Sequence, residues 1–171
     1  MTTDSTLSGV AVLDLTQIMA GPFCTMVLAD MGADVIKVER PNGGDDQRRM
    51  GPPFIKDWSA GFLALNRNKR SLVLDLRSES GQAVFKRLVE DVDVVVENFR
   101  PGVMDRLGLG YETLTAIKTS LVYCSISGYG NTGLDIAAPA AAGSEIDNGS
   151  VAQPVGRQHM LGHSIAFIIQ D

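Results

Sequence analysis

Apolar residues fall along this chain in two alternating rhythms. Short apolar runs, rich in β-branched side chains, stand at residues 10–15, 35–39, 72–76, 94–96 and 121–127, and each reads as a strand. Between them, at residues 23–31 and 80–92, apolar positions recur at helical spacing. In the second stretch Val84, Leu88 and Val92 share a face, with charged residues between them. Pro22 suits the first turn of the first helix, where a missing N–H costs nothing, and Gly32 stops that helix. Two shorter helices are predicted at 103–107 and 111–118. Strand, helix, strand at this spacing is a βαβ unit, so the first two strands should be parallel neighbours. The alternation as a whole predicts an α/β chain with an open, mostly parallel sheet and flanking helices.

Other stretches are less definite. Residues 41–53 are dominated by Pro, Gly and Asp and read as a loop. Residues 60–65 are short and apolar, without a clear preference for helix. Residues 66–70 are polar and basic. From Leu134 the pattern weakens. Pro139 interrupts an alanine-rich stretch, 148–158 is loop-like, and the apolar run at 164–169 fits a strand or a buried helical turn.

Composition narrows the classes. A chain of 171 residues with 44% hydrophobic content suits one domain with its own core. No run approaches the roughly 18 apolar residues of a membrane span. Residues 1–8 are polar and lack a basic-then-apolar signal pattern, so a cytoplasmic location with no membrane contact is expected. A net charge of −5 without a basic block argues against nucleic acid as a partner. Cys24 and Cys124 both sit in apolar segments, which favours buried free thiols over a disulfide. His159 and His163 show no partner carboxylate, and nothing has zinc-type spacing, so no metal is expected.

In open α/β sheets, ligands bind beyond the carboxyl ends of the strands. The segment 16–22 follows strand one and feeds a helix N-terminus, which favours anions, but it lacks a dinucleotide-type glycine fingerprint. Arg40 follows strand two, and Arg77 follows strand three. Asn98, Phe99 and Arg100 follow strand four, with Arg106 beyond them, and glycine-rich 127–133 follows strand five. Cations and glycines thus gather at strand ends in an acidic chain, as a polyphosphate ligand would require. Asp14, Glu97 and Asp135 are the carboxylates placed for chemistry, and a structural role is the better reading of each on spacing alone.

These segments resemble the class III CoA-transferases, the family of formyl-CoA transferase and carnitine CoA-transferase, and their relatives the α-methylacyl-CoA racemases. The resemblance is carried by Leu13-Asp14-Leu15-Thr16 with Ala20-Gly21-Pro22-Phe23, and by Gly32-Ala33-Asp34-Val35-Ile36-Lys37-Val38-Glu39-Arg40-Pro41. Asn66-Arg67-Asn68-Lys69-Arg70-Ser71, Glu97-Asn98-Phe99-Arg100-Pro101-Gly102-Val103 and Ser127-Gly128-Tyr129-Gly130 continue it in order. It covers residues 7–133 as a CoA-binding, Rossmann-like region. Residues 134–171 form a divergent tail that partly resembles the family's active-site segment.

The resemblance implies that Arg40 contacts the phosphorylated ribose of CoA. It implies that Leu74, Asp75, Leu76, Arg77, Asn98, Phe99, Arg100 and Arg106 line the nucleotide and pantetheine path. Met19 and Ala20 would lie near the thioester, and formyl-CoA transferase has a glutamine where Met19 stands. Acyl-CoA and a carboxylic acid are the implied partners, with CoA as substrate and no tightly bound cofactor. The implied mechanism is covalent: an aspartate carboxylate attacks the thioester, and CoA thiolate leaves and returns to form an aspartyl-CoA thioester while the acids exchange.

Three departures qualify this. Gly133 runs straight into Leu134-Asp135-Ile136-Ala137-Ala138, which implies a deletion. The family nucleophile lies in a segment resembling Met-Gly-Asp-His, and the best match here, Met160-Leu161-Gly162-His163, places Gly162 at that position. Family members are more than twice as long and form interlocked homodimers, so this fold is incomplete relative to theirs, and exposed apolar surface is expected. Two alternatives therefore stay open: a non-catalytic CoA-binding remnant, and a racemase-like isomerase using Asp135 as acid/base.

Overall fold

The computed structural model describes residues 5–128 and 166–170, the latter by backbone alone. The chain runs β1 (Ala11–Asp14), α1 (Ala20–Asp30), β2 (Asp34–Glu39), a 3-10 turn (Asp46–Arg49), β3 (Phe54–Ile55), β4 (Trp58–Ser59) and α2 (Ala60–Leu65). It continues through β5 (Lys69–Val73), α3 (Glu79–Asp91), β6 (Val94–Glu97), α4 (Val103–Arg106), α5 (Tyr111–Ile117), β7 (Val122–Ser127) and β8 (Ala166–Gln170). The main sheet has the order β5-β2-β1-β6-β7-β8. The first five strands are mutually parallel, and β8 joins antiparallel to β7. β3 and β4 form a separate small hairpin.

Strand alternation sorts the side chains onto two faces. Leu13, Val38 and Val95 join Phe85 and Val89 of α3, Met104 of α4 and Leu114 of α5 in one core cluster. Val12, Val35 and Val96 face the other way and pack with Ala29 of α1. α1 begins at Ala20, three residues before the apolar spacing places it, with Pro22 inside its first turn. Gly32 ends it at φ +99°, where Gly32 N–H bonds Ala29 O and Ala33 N–H bonds Leu28 O, each at 3.0 Å. That pairing satisfies carbonyls a helix end would otherwise leave unmet. At the start of α3, Ser78 Oγ accepts the Gly81 N–H at 3.1 Å.

One strand differs in register from the sequence expectation. The third parallel strand spans Lys69–Val73 rather than 72–76. Residues 66–70, read as a polar segment, supply its first residues, because an edge strand tolerates charge. Arg70 pairs in the open with Asp34, and the Lys69 ammonium turns inward. The ladder ends at Leu74 N–H on Glu39 O (2.8 Å), so 74–77 leave the sheet to enter α3. Residues 60–65 form the helix α2, capped by Ser59, and the apolar run near the end contributes the strand β8.

Cys24 and Cys124 are free thiols packed against the α1-side cluster. Burial raises both, Cys124 to about 11. α1 also presents Met19, Phe23, Val27 and Met31 to solvent, at 56, 54, 38 and 41% exposure, so its outer face is as apolar as its inner one. Among the described residues no helix is long and apolar enough to cross a membrane.

On the α1 face the strands change character along their length. β2 runs Val35, Lys37, Glu39 and β1 runs Val12, Asp14, so apolar residues at the start give way to buried charges at the carboxyl end. Asp14 is fully buried. It accepts from Thr16 Oγ1 (2.5 Å), Thr25 Oγ1 (2.7 Å) and Lys69 Nζ (2.9 Å). The Lys69 ammonium also donates to Pro22 O, Thr25 Oγ1 and Asn66 Oδ1. Burial pulls the Lys69 value down, and the Asp14 charge opposes that. Lys69→Met would leave a buried carboxylate without its cation, at a cost of about 3–5 kcal/mol. A urea melt of the variant should show a correspondingly lower midpoint with an unchanged slope.

Candidate functional site

A cavity of about 800 Å³ opens beyond the carboxyl ends of β1, β2, β5 and β6. It spans the point where the strand order reverses, between β1 and β6, the place at which open α/β sheets part their loops to receive a ligand. Its walls come from the residues that follow each strand. Gln17 and Ile18 follow β1, Arg40, Pro41 and Asn42 follow β2, and Leu74 to Arg77 follow β5. Asn98 to Arg100 follow β6, and Val103, Arg106 and Leu107 come from α4 and its end.

Of the residues singled out in the sequence, Arg40, Leu74, Asp75, Leu76, Arg77, Asn98, Phe99, Arg100 and Arg106 are thus brought to one cavity. Met19 and Ala20 stand just past Ile18, at the N-cap and first residue of α1, and are not in its wall. Asp135 and Gly162 lie outside the described residues, as do His159 and His163. The sequence reading did not single out Gln17, Ile18 or Asp46 as site residues. Gln17 and Ile18 belong to the segment 16–22, which the sequence marks as following a strand and favouring anions without distinguishing these two residues. Asp46 carries no such signal, since a loop of unknown path hides it.

The acidic groups of the wall are committed to partners. Asp46 pairs with Arg40. Asp75 Oδ1 accepts the Arg77 N–H at 3.0 Å. Glu39 takes a two-pronged hydrogen bond from Arg48, Nε to Oε2 and Nη2 to Oε1, both 2.6 Å, and accepts from Ser71 Oγ (2.7 Å) and Asp45 N–H (3.1 Å). Arg48 in turn lies 3.8 Å over the Phe62 ring and 5.1 Å from that of Trp58. This ties the β3–β4 hairpin and α2 to the end of β2. Burial alone would raise the Glu39 carboxyl, and the donors from Arg48, Ser71 and Asp45 overcome it, holding the group at about 2.

Asn98 has a different task from a ligand contact through its amide. Its Oδ1 accepts the Gln17 N–H at 2.8 Å, and its Nδ2 donates to Gln17 O at 2.9 Å. Glu97, at the end of β6, accepts the Phe99 N–H at 2.7 Å and so sets the turn carrying Phe99 and Arg100. Burial raises the Glu97 carboxyl, against the hydrogen bonds from Ser125 and Phe99. With Arg40, Arg77, Arg100 and Arg106 in the wall and its acids engaged, the cavity suits an anion carrying several charges. Its size falls in the range of small-molecule and cofactor sites.

Comparison with known proteins agrees with this frame. The model of the family described as CoA-transferase family III matches residues 7–162, and the chain belongs to that family. It is 51% identical over 127 residues to succinyl-CoA:glutarate CoA-transferase of Mus musculus, covering 74% of this chain and 29% of that protein. It is 50% identical over 125 residues to acetyl-CoA:oxalate CoA-transferase of Acetobacter aceti, covering 73% and 32%. Among solved structures, a CAIB/BAIF family protein from Brucella suis superposes with TM-score 0.76 at 48% identity, covering 80% of this chain and 37% of that one. The chain therefore spans about a third of the length of the relatives it matches.

The Glu39 anchor makes a pH prediction. Its carboxyl is held below the ordinary 4.5, so the stability it contributes is complete above that value and is lost as pH falls toward about 2. Stability measured by denaturant melts should fall across that window in the wild type. Glu39→Gln should start lower and lose part of that fall. Equal slopes for the two proteins would show that Glu39 is not held as described.

Proposed function

We propose that this chain is the CoA-binding part of a transferase that moves CoA between an acyl-CoA and a carboxylic acid. The observation that carries this reading is the arginine-lined cavity at the switch point of the sheet. Coenzyme A offers a phosphorylated ribose and a diphosphate, and both need fixed cations. Arg40 takes the ribose phosphate, exchanging its Asp46 partner for the ligand. Arg77, Arg100 and Arg106 face the remaining phosphates. Leu74, Leu76 and Phe99 supply apolar wall for the adenine and the pantetheine arm, and the thioester end extends past that wall toward Met19 and Ala20 at the start of α1.

The family affiliation supports the reaction class. The relatives named above act, by their names, on succinyl-CoA with glutarate and on acetyl-CoA with oxalate. Glutarate and oxalate are both dicarboxylates, which favours a dicarboxylic acid as the acceptor here. In this reading a carboxylate nucleophile attacks the thioester carbonyl of the bound acyl-CoA and displaces CoA thiolate, and the described residues hold the CoA portion throughout. The working enzyme is a soluble homodimer that carries no tightly bound cofactor.

A thermal melt of the chain with and without CoA tests the binding. A ligand that binds only the folded state adds about 2.7 kcal/mol at 100 times its dissociation constant. The melt should shift upward with CoA and less with dephospho-CoA. Arg40→Ala should abolish the difference between the two ligands. A transition indifferent to both ligands would contradict the reading.

A further inference from the structure

The loop between β1 and α1 is held by side chains from other parts of the chain. Thr16 N–H donates to Asp14 Oδ1 (2.9 Å), and Thr16 O accepts from Lys37 Nζ (2.7 Å). Gln17 gives its N–H to Asn98 Oδ1 and its carbonyl to Asn98 Nδ2. Ile18 N–H donates to both oxygens of Asp45, at 3.1 and 3.3 Å. Lys37 and Asp45 are themselves an ion pair at 2.9 Å, with side chains 2% and 1% exposed. Successive backbone groups thus go to β1, β2, the loop after β2 and the loop after β6. In most surface loops such groups are left to water.

The loop is also fixed in an unusual shape. Ile18 has φ +69°, a region a β-branched residue avoids. Such a conformation persists only where the surroundings over-determine it, and such positions cluster at ligand clamps. Gln17 and Ile18 both face the cavity.

The charges say which part of a ligand the loop meets. The arginines of the wall stand after β2, β5 and β6 and on α4. The β1–α1 loop contributes no ionised group to it. Phosphates are drawn to the arginines, which leaves the uncharged pantetheine arm for Gln17 and Ile18. We propose that Lys37, Asp45 and Asn98 are positioning residues that fix Gln17 and Ile18 as a rigid rest for the pantetheine arm, an inference that rests on the CoA reading above. The clamp settles the shape of the loop before binding, so the thioester end enters a formed groove and little ordering is left to do on binding.

Asn98→Ala removes two hydrogen bonds from Gln17 and leaves no buried charge. The Lys37→Gln/Asp45→Asn double variant replaces the ion pair with an amide pair and likewise strands no single charge. Binding to the full chain is measured by calorimetry with two probes: CoA, and adenosine 3′,5′-bisphosphate, which lacks the arm. Both variants should bind CoA about tenfold more weakly and the bisphosphate within about twofold of wild type. Retained bisphosphate binding reports an intact fold, and faster amide exchange at Gln17 in Asn98→Ala reports the released loop. Equal loss for both probes, or no loss for either, would overturn the proposal. A wild type that binds the bisphosphate as tightly as CoA would overturn the proposal while leaving the site as a nucleotide site. A wild type that binds neither probe would overturn the CoA reading itself. If the double variant fails to fold, Asn98→Ala alone decides.

Discussion

Asp14 is fully buried near the carboxyl end of the central strand, and a carboxylate there requires a cation. Lys69 supplies it from the edge strand, reaching past α1 to Asp14, Thr25 and Pro22. That one contact draws together β1, β5 and the first turn of α1. It also explains why β5 begins at a lysine rather than at the apolar residues that follow. Lys37 beside it on β2 is equally buried and turns to Asp45. Two lysines and two aspartates thus form a charge-balanced layer beneath the start of α1. Glu39 extends that layer outward to Arg48.

The layer shapes the site above it. Hydrophobic packing places the strands and helices, but it has little hold on the loops at the end of a sheet, whose backbone groups need partners. Here the buried charges supply those partners. Asp45 holds Ile18, Lys37 holds Thr16, Glu39 holds Asp45 N–H and Arg48, and Asn98 completes the set on the other side. The loops that form the cavity are therefore built on the same residues that satisfy the sheet's interior, so the shape of the cavity and the stability of this end of the molecule rest on the same contacts. On the opposite face the buried polar groups at the strand ends are Glu97 and Ser125, among the described residues. Leu13, Val95 and Phe85 pack there as an ordinary apolar core.

Much of the fold was legible because it rests on local pattern. The valines of β6, the Val84–Leu88–Val92 stripe of α3, and Pro22 and Gly32 bracketing α1 each signal their element directly. The start of β5 was not legible, since Lys69 and Arg70 look like loop residues until the Asp14 partner is known. The arginines of the cavity were legible from their place after strands, because topology gathers strand ends. The anchoring roles of Lys37, Asp45 and Asn98 were not. A charged residue alternating with valine on β2 looks like a solvent-facing position, and nothing in sequence spacing brings Asn98 to Gln17, 81 residues away.

On the reading proposed above, these loops form one anion-binding site at the carboxyl end of the sheet, with CoA as its ligand. Amide NMR shifts of the chain during a CoA titration test it most directly. Saturable shifts are expected at Gln17, Ile18, Arg40, Arg77, Phe99 and Arg106, with Ala33 and Asp93 at the opposite end of the sheet unmoved. Shifts confined to that opposite end, or no saturable shifts at all, would contradict it.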